Sequence, residues 1–267
     1  MTDLILVDPV DAGTGIVSVT LNRPDRRNAL SIDLLEELCA TMQRLAEDRA
    51  NRVVILRGAG PVFSSGLDLQ EAADNSLVER SAKAIEHALD LLRETPLVVI
   101  AAVQGGAFAG GAGIMAACDI VVAADNAKIG FPEARRGLLP ALICGVLRHK
   151  VREGDLRDLF LAGDSIGTAR AQQIGLVQRI VPAERLFEEA TAAALSIVAG
   201  GPETIRHTKQ LLNVTFHPDR NHVAPDLIQT HLAARQSDEA REGLAAFLQK
   251  RDPKWTDGDA LAPKQGE

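Results

Sequence analysis

Residues 96–118 read Pro96-Leu-Val-Val-Ile-Ala-Ala-Val-Gln-Gly-Gly-Ala-Phe-Ala-Gly-Gly-Ala-Gly-Ile-Met-Ala-Ala-Cys118 and contain no charged side chain. A run of this length is long enough to cross a bilayer. It also holds Gln104 and glycines at 105, 106, 110, 111 and 113. Each glycine forfeits backbone entropy in a helix, so a lipid-facing helix is a poor solution. A buried strand over Leu97–Val103, a glycine-rich loop and a buried helix account for the stretch better. Read this way, it is the centre of a water-soluble α/β core.

Outward from that centre, short β-rich runs recur at Leu4–Val7, Ile16–Leu21, Val53–Arg57, Val98–Val103, Ile120–Ala123 and Arg179–Val181. Segments of helical periodicity separate most of them, notably Ser31–Glu47 and Asn75–Arg93. Ser31 is placed to cap the first, with Asp33, Glu36 and Glu37 complementing the positive end of the helix. Alternation of helices with nearly all-apolar strands predicts an α/β fold with buried, largely parallel strands. After Pro182 the strands stop, and 184–199, 202–213, 225–235 and 237–250 all carry helical patterns. The expected division is therefore an α/β core over residues 1–200 and a helical region over 201–267. The tail beyond Trp255 is polar and rich in Pro, Gly and Asp, as frayed termini are.

Composition narrows the function classes. The 267 residues are 46% hydrophobic, enough for one large core. A net charge of −7, from 29 basic and 36 acidic residues, argues against a nucleic-acid partner. Tyrosine is absent, so no phenol can carry a proton. Cys39, Cys118 and Cys144 form no C-x-x-C pair. The N-terminus is acidic where a signal peptide would be basic, and a cytoplasmic location is the expectation. The six histidines lack metal-ligand spacing, so no metal site is expected. His149, between Arg148 and Lys150, reads as a helix-end cation, and Asp119 as a structural residue.

Three glycine or nucleophile signatures compete. Gly111-Ala-Gly113-Ile-Met-Ala116 matches a dinucleotide-binding G-x-G-x-x-A, but seven residues from Gln104 to Gly110 separate it from its strand. Close helix–strand packing is the competing explanation. Gly163-Asp-Ser165-Ile-Gly167 is a literal nucleophile elbow, with Asp226 and His231 following in the order of an α/β-hydrolase. Yet the preceding residues resemble the end of a helix, so a polar turn is preferred to a catalytic Ser165.

The third constellation is spread along the chain. Leu21-Asn-Arg-Pro-Asp-Arg-Arg-Asn28-Ala-Leu30 comes first, then Phe63-Ser-Ser-Gly66-Leu67-Asp68-Leu69 after a strand. Gly105–Gly113 leads into a helical segment and Cys118-Asp119-Ile-Val-Val-Ala-Ala. Gly130-Phe-Pro-Glu133-Ala-Arg-Arg-Gly137-Leu-Leu-Pro140 follows, with Leu161–Ala171, Gly175-Leu-Val177 and Gly243–Arg251 beyond it. In order and spacing these pieces resemble the enoyl-CoA hydratase/isomerase, or crotonase, family over residues 10 to 255.

The resemblance implies a ββα superhelix core followed by a C-terminal α-helical trimerisation region, assembled as a homotrimer or dimer of trimers. It implies an acyl-CoA substrate, with coenzyme A entering as the thioester and no separate cofactor. The implied chemistry is reversible hydration of an α,β-unsaturated acyl-CoA through a thioester enolate. Two backbone N–H groups, those of Leu67 and Gly110, would stabilise the enolate oxygen. Glu133 would be the acid/base, its pKa raised by Phe131, Ala134 and Leu138. Without the family pattern, a glutamate after proline reads as a helix-start residue.

Ala29, Ser65, Gly66, Asp68, Leu69 and Gly111 go with the substrate-binding motifs. Arg26 and Arg27 lie where the family places basic residues near the CoA phosphates, and Lys250 where trimers reach a neighbour's CoA. A solvated turn and a surface lysine are the alternatives. Acyl-chain specificity is expected from residues 70–95. One departure stands out: hydratases of the family carry a second glutamate at the position held here by Gly113. The turn Leu139-Pro-Ala-Leu-Ile143 resembles methylglutaconyl-CoA-type hydratases. A Δ3-Δ2-enoyl-CoA isomerase, an acyl-CoA hydrolase and a non-catalytic acyl-CoA binder remain alternatives.

Overall fold

The structure is a computed structural model, and it describes residues 3–11, 13–216, 229, 232 and 235–251. Most of the 225–235 segment, Asp226, His231 and the tail beyond Trp255 lie outside the described residues.

Strand β1 (Ile5–Asp11) pairs antiparallel with β2 (Ile16–Leu21), with a bulge between Pro9 and Asp11. Pro9 is tolerated there because β1 is an edge strand and needs no second ladder. Helix α1 (Ile32–Glu47) begins at the expected cap, the Ser31 hydroxyl accepting from the Leu34 amide at 3.3 Å. The chain continues through β3 (Val53–Gly58), α2 (Leu69–Ala73), α3 (Val78–Glu94) and β4 (Val98–Val103). Next come β5 (Gly106–Phe108), α4 (Gly110–Ala117), β6 (Ile120–Ala124) and β7 (Lys128–Gly130). A 3-10 turn (Ala134–Arg136) precedes α5 (Ala141–Leu147), α6 (Glu153–Ala162), β8 (Ser165–Gly167) and α7 (Thr168–Gln173). Strand β9 (Arg179–Val181) is followed only by helices among the described residues: α8 (Leu186–Val198), α9 (Pro202–Phe216) and α10 (Asp238–Leu248).

The main sheet has the order β1-β2-β3-β4-β6-β9 and is parallel from β2 onward. Its central strand β4 is buried throughout, which is why it reads as a continuous apolar run rather than an alternating one. Each buried Val, Leu or Ile contributes about 1.5–3 kcal/mol relative to exposure. Residues 96–118 hold no spanning helix: they form β4, β5 and α4, and no described helix is long and apolar enough to cross a membrane.

A second sheet, β5-β7-β8, was not expected from the sequence. Its strands are three residues long, too short to display a period of two. This small sheet nonetheless fixes the site. Strand β5 delivers the chain to the start of α4, and β7 delivers it to Glu133.

The last helices pack onto the core. Lys209 of α9 is buried, donating to the carbonyls of Leu92 and Leu97 and pairing with Asp119 at 2.7 Å. Asp119 also accepts from the Val99 amide, which makes it structural as expected.

Candidate active site

Two loops present their backbone to one cleft. Ala109, between β5 and α4, has φ 48° and ψ −126°, a conformation costly for any residue with a Cβ. The Ala109 amide donates to Gly130 at 2.9 Å, and its carbonyl accepts from Gly113 at 3.0 Å, which holds the residue there. As a result Gly110 opens α4 with its N–H among the orphan donors of the first helical turn. On the other loop, Leu30 donates to the Gly66 carbonyl and Asp68 donates to the Leu30 carbonyl, at 2.8 and 3.2 Å. That parallel bridge leaves the Leu67 amide pointing away from it. Neither the Leu67 nor the Gly110 N–H enters the backbone hydrogen bonds of the described residues.

The two loops touch. A Cβ on Gly110 would lie 3.9 Å from the Leu67 nitrogen, and one on Gly66 would lie 3.4 Å from the Gly110 nitrogen. Gly66 has φ +91°, and its Cβ would meet the Phe108 carbonyl at 2.6 Å, so only glycine fits.

Behind the loops is a polar scaffold. The Asn28 side chain is fully buried, accepting from the Arg23 amide and donating to the carbonyls of Ala59 and Val62. Ser64 donates its hydroxyl to the Asn28 carbonyl and accepts from the Gly66 amide. Ser65 donates its amide to the Arg27 carbonyl. Asp68 caps α2 through the Gln70 amide and pairs with Arg23 at 2.9 Å, while the same Arg23 nitrogen donates to Ala29. Asp68 therefore steadies the Leu67 peptide rather than entering the cleft.

Glu133 follows β7 and precedes the 3-10 turn. The residue is 7% exposed, and Oε2 is buried without a hydrogen-bond partner among the described residues. Burial pushes its pKa up to about 7, opposed in part by the nearby Arg136 charge. The cleft it borders is also lined by Leu67, Leu69, Ile85, Gly110, Arg136 and residues 138–143. Its apolar character comes mainly from Leu138 to Ile143; Ala134, expected to contribute, is exposed. Likewise Ile85 is the single cleft-lining residue from the 70–95 segment, which was expected to shape the acyl site.

Position 113 is filled from outside. A Cβ on Gly113 would meet Ile143 Cγ1 at 3.2 Å and Leu89 Cδ2 at 3.5 Å. The room a second carboxylate would need is taken by apolar side chains from α5 and α3.

Of the sequence-derived candidates, Leu67, Leu69, Gly110 and Glu133 come together in the cleft. Ala29, Ser65, Gly66, Asp68 and Gly111 sit in the scaffold behind it. A Cβ on Gly111 would strike Ser64 Oγ at 2.6 Å, so the G-x-G-x-x-A match reflects close packing inside α4. Arg26 and Arg27 lie exposed on the turn before Asn28, and Lys250 is exposed just past α10.

Ser165 opens β8, opposite Gly130, and its hydroxyl bonds no histidine among the described residues. In the same motif, Gly163 ends α6 with φ +66° and Gly167 starts α7. His149 accepts from Arg148 Nε at 2.8 Å, and burial pushes its pKa down, so the expected cation is not there. No group of potential metal ligands occurs among the described residues. Sequence reasoning missed Arg136 and Ile143. The first adjoins Glu133 in sequence and could have been suspected; the second reaches the site only through the packing of α5.

Comparison with known proteins gives the family. The family described as enoyl-CoA hydratase/isomerase matches residues 11–258. A Thermus thermophilus protein named putative enoyl-CoA hydratase is 34% identical over 247 residues, covering 90% of this chain and 97% of its own. A Mycobacterium tuberculosis protein named probable enoyl-CoA hydratase echA8 is 32% identical, covering 95% and 98%. The crystal structure of an enoyl-CoA hydratase from Mycobacterium avium superposes with a TM-score of 0.86 at 32% identity, covering 96% and 100%.

Proposed function

The chain belongs to the enoyl-CoA hydratase/isomerase family, with the fold of its solved members, and we propose on that footing that it adds water reversibly to an α,β-unsaturated acyl-CoA. The observation that carries this reading is the meeting, in a single apolar cleft, of one buried carboxylate with two amides that have no backbone partner among the described residues. Donors already aimed at the site of developing charge stabilise an oxyanion without reorganising during the reaction.

In the hydration direction, the thioester oxygen accepts from the Leu67 and Gly110 amides. Ionised Glu133 takes a proton from water as the water oxygen bonds to C3 and the C2=C3 electron pair moves into the enolate. The same carboxyl then returns that proton to C2, and the enolate collapses to the 3-hydroxyacyl thioester. One carboxyl group with a pKa of about 7 can serve in both states near neutral pH. Coenzyme A arrives bonded to the substrate, so this route calls for no separate cofactor. A homotrimer or dimer of trimers in the cytoplasm accompanies the reading.

Crotonyl-CoA supplied to the purified protein is expected to lose its conjugated enoyl-thioester absorbance as 3-hydroxybutyryl-CoA forms. No turnover of any enoyl-CoA, with CoA thioesters still bound, would leave a non-catalytic binder. A second reading has one observation in its favour. Since Ile143 fills the space beside Gly113, a single-carboxylate proton shift from β,γ- to α,β-enoyl-CoA suits the site too. Faster turnover of 3-enoyl-CoA than of crotonyl-CoA would select it.

A further inference from the structure

Glu133 and Arg136 stand three residues apart on one 3-10 turn, closed by the Arg136 amide donating to the Glu133 carbonyl at 2.9 Å. Side chains at i and i+3 of such a turn eclipse, and both of these border the same cleft. No hydrogen bond or ion pair joins them among the described residues. The guanidinium acts on the carboxyl through its charge, against the effect of burial. A carboxyl bonded directly to an arginine would be locked in its ionised form, whereas one that only feels the charge can still gain and lose a proton. What holds the guanidinium in place is α10. Its carbon lies 4.5 Å from the centroid of the Phe247 ring. This contact is built into the fold: the Gly243 backbone abuts the Arg136 carbonyl so closely that any Cβ there would clash, and Phe247 lies one helical turn on. A ring face attracts a guanidinium without cancelling its charge, as a carboxylate partner would. The other charges described around the turn are engaged elsewhere. Arg135 pairs with Asp164, and on α10 Glu242 pairs with Arg251 and Asp238 with Arg241. On α6, Asp155 pairs with Arg152 and Arg170, Glu153 pairs with Arg157, and Asp158 is exposed. Helices α4 and α5 carry no charged side chain, and α3 gives the cleft only Ile85. Across the cleft, Asp68 pairs with Arg23, and Glu71 accepts from the Ile32 amide.

We propose that Arg136 is a positioning residue for Glu133, its guanidinium held by the Phe247 ring of α10 so that the carboxyl can ionise inside an apolar cleft. The proposal rests on the reading of Glu133 as the acid/base and adds a part for the C-terminal helix in that chemistry. Glu133 must be ionised to take a proton from water, and burial alone opposes that state. A guanidinium free to swing into solvent would be screened and would help little. Stacked on Phe247, it keeps its charge at the cleft wall.

Infrared pH-difference spectroscopy of the full-length protein reads the band of the protonated Glu133 carboxyl, identified by its loss in Glu133→Gln, and needs no turnover. The wild-type midpoint is expected near pH 7. Arg136→Gln should move it to higher pH by about one unit or more, the scale of one nearby opposite charge. Arg136→Lys keeps the cation and should return it most of the way. Phe247→Leu should move it in the same direction by less, because the guanidinium remains but is no longer held. The ring is half-exposed, so this variant leaves the core intact and decides the matter even if Arg136→Gln does not fold. The acid limb of kcat/KM for crotonyl-CoA reports the same carboxyl in the free enzyme and should move with the infrared midpoint. An unchanged midpoint in either Arg136→Gln or Phe247→Leu would overturn the proposal. So would an Arg136→Lys midpoint equal to that of Arg136→Gln, since the effect would then be one of shape and not of charge. Midpoints that move as expected without turnover of any enoyl-CoA would uphold the proposed contact and sink the hydratase reading alone.

Discussion

At the scale of single residues, Glu133 sits in an environment that disfavours its own charge. Its carboxyl titrates near 4.5 in an exposed chain and at about 7 in the fold, chiefly because burial disfavours the ionised form. Between those pH values the folded protein holds a proton that the unfolded chain has released. Stability therefore falls as pH rises through this window, and the penalty is complete above about pH 7. Glu133→Gln removes the penalty. The variant should melt higher than the wild type at pH 8, by an amount on the order of 1–3 kcal/mol. Below pH 4 the difference should vanish, and thermal melts at both pH values check this. Glu133 was visible in the sequence because a Pro-Glu turn sits inside a recognisable series of motifs. Ile143 was not, since nothing in residues 138–143 tells a reader that α5 will lay this side chain against Gly113. The packing of a third element decides it.

At the scale of elements, the β5–α4 junction does the positioning. Ala109 is held at positive φ by hydrogen bonds to Gly130 and Gly113, so β7 and α4 together aim the Gly110 amide. Replacing Gly110 by proline would remove that amide, but the residue before a proline must be extended, and Ala109 is not. Gly110→Ala is the cleaner probe. Its methyl would sit 3.3 Å from Leu30 Cδ1 and 3.9 Å from the Leu67 nitrogen, within the space shared by the two donors. The variant should fold with an unchanged circular dichroism spectrum and lose roughly 10²-fold or more in kcat, comparable to removing one oxyanion donor. A folded Gly110→Ala protein with normal kcat would detach this junction from the chemistry. The long strands and helices of the core were legible from periodicity and caps. The β5-β7-β8 sheet was not, because its strands are held by pairing across distant loops rather than by any local pattern.

At the scale of the whole molecule, the acidic, tyrosine-free chain builds a largely parallel sheet whose loops converge on one apolar cleft with a carboxyl at its wall. The glycine motif that might have held a dinucleotide is consumed by packing of α4 against Ser64. The protein should accordingly bind CoA thioesters and show no heat of binding with NAD; tight NAD binding without CoA binding would contradict that assignment. The central claim is narrower: one carboxyl, Glu133, moves the proton at the substrate's α-carbon. Solvent-deuterium exchange at that carbon, followed by mass spectrometry alongside enoyl-CoA turnover, tests it most directly in wild type and Glu133→Gln. General acid–base catalysis by one side chain is worth about 10²–10⁴ in rate. The account predicts that exchange and turnover both fall by that order while CoA-thioester affinity changes little. Retention of most of the wild-type exchange rate by Glu133→Gln would contradict it.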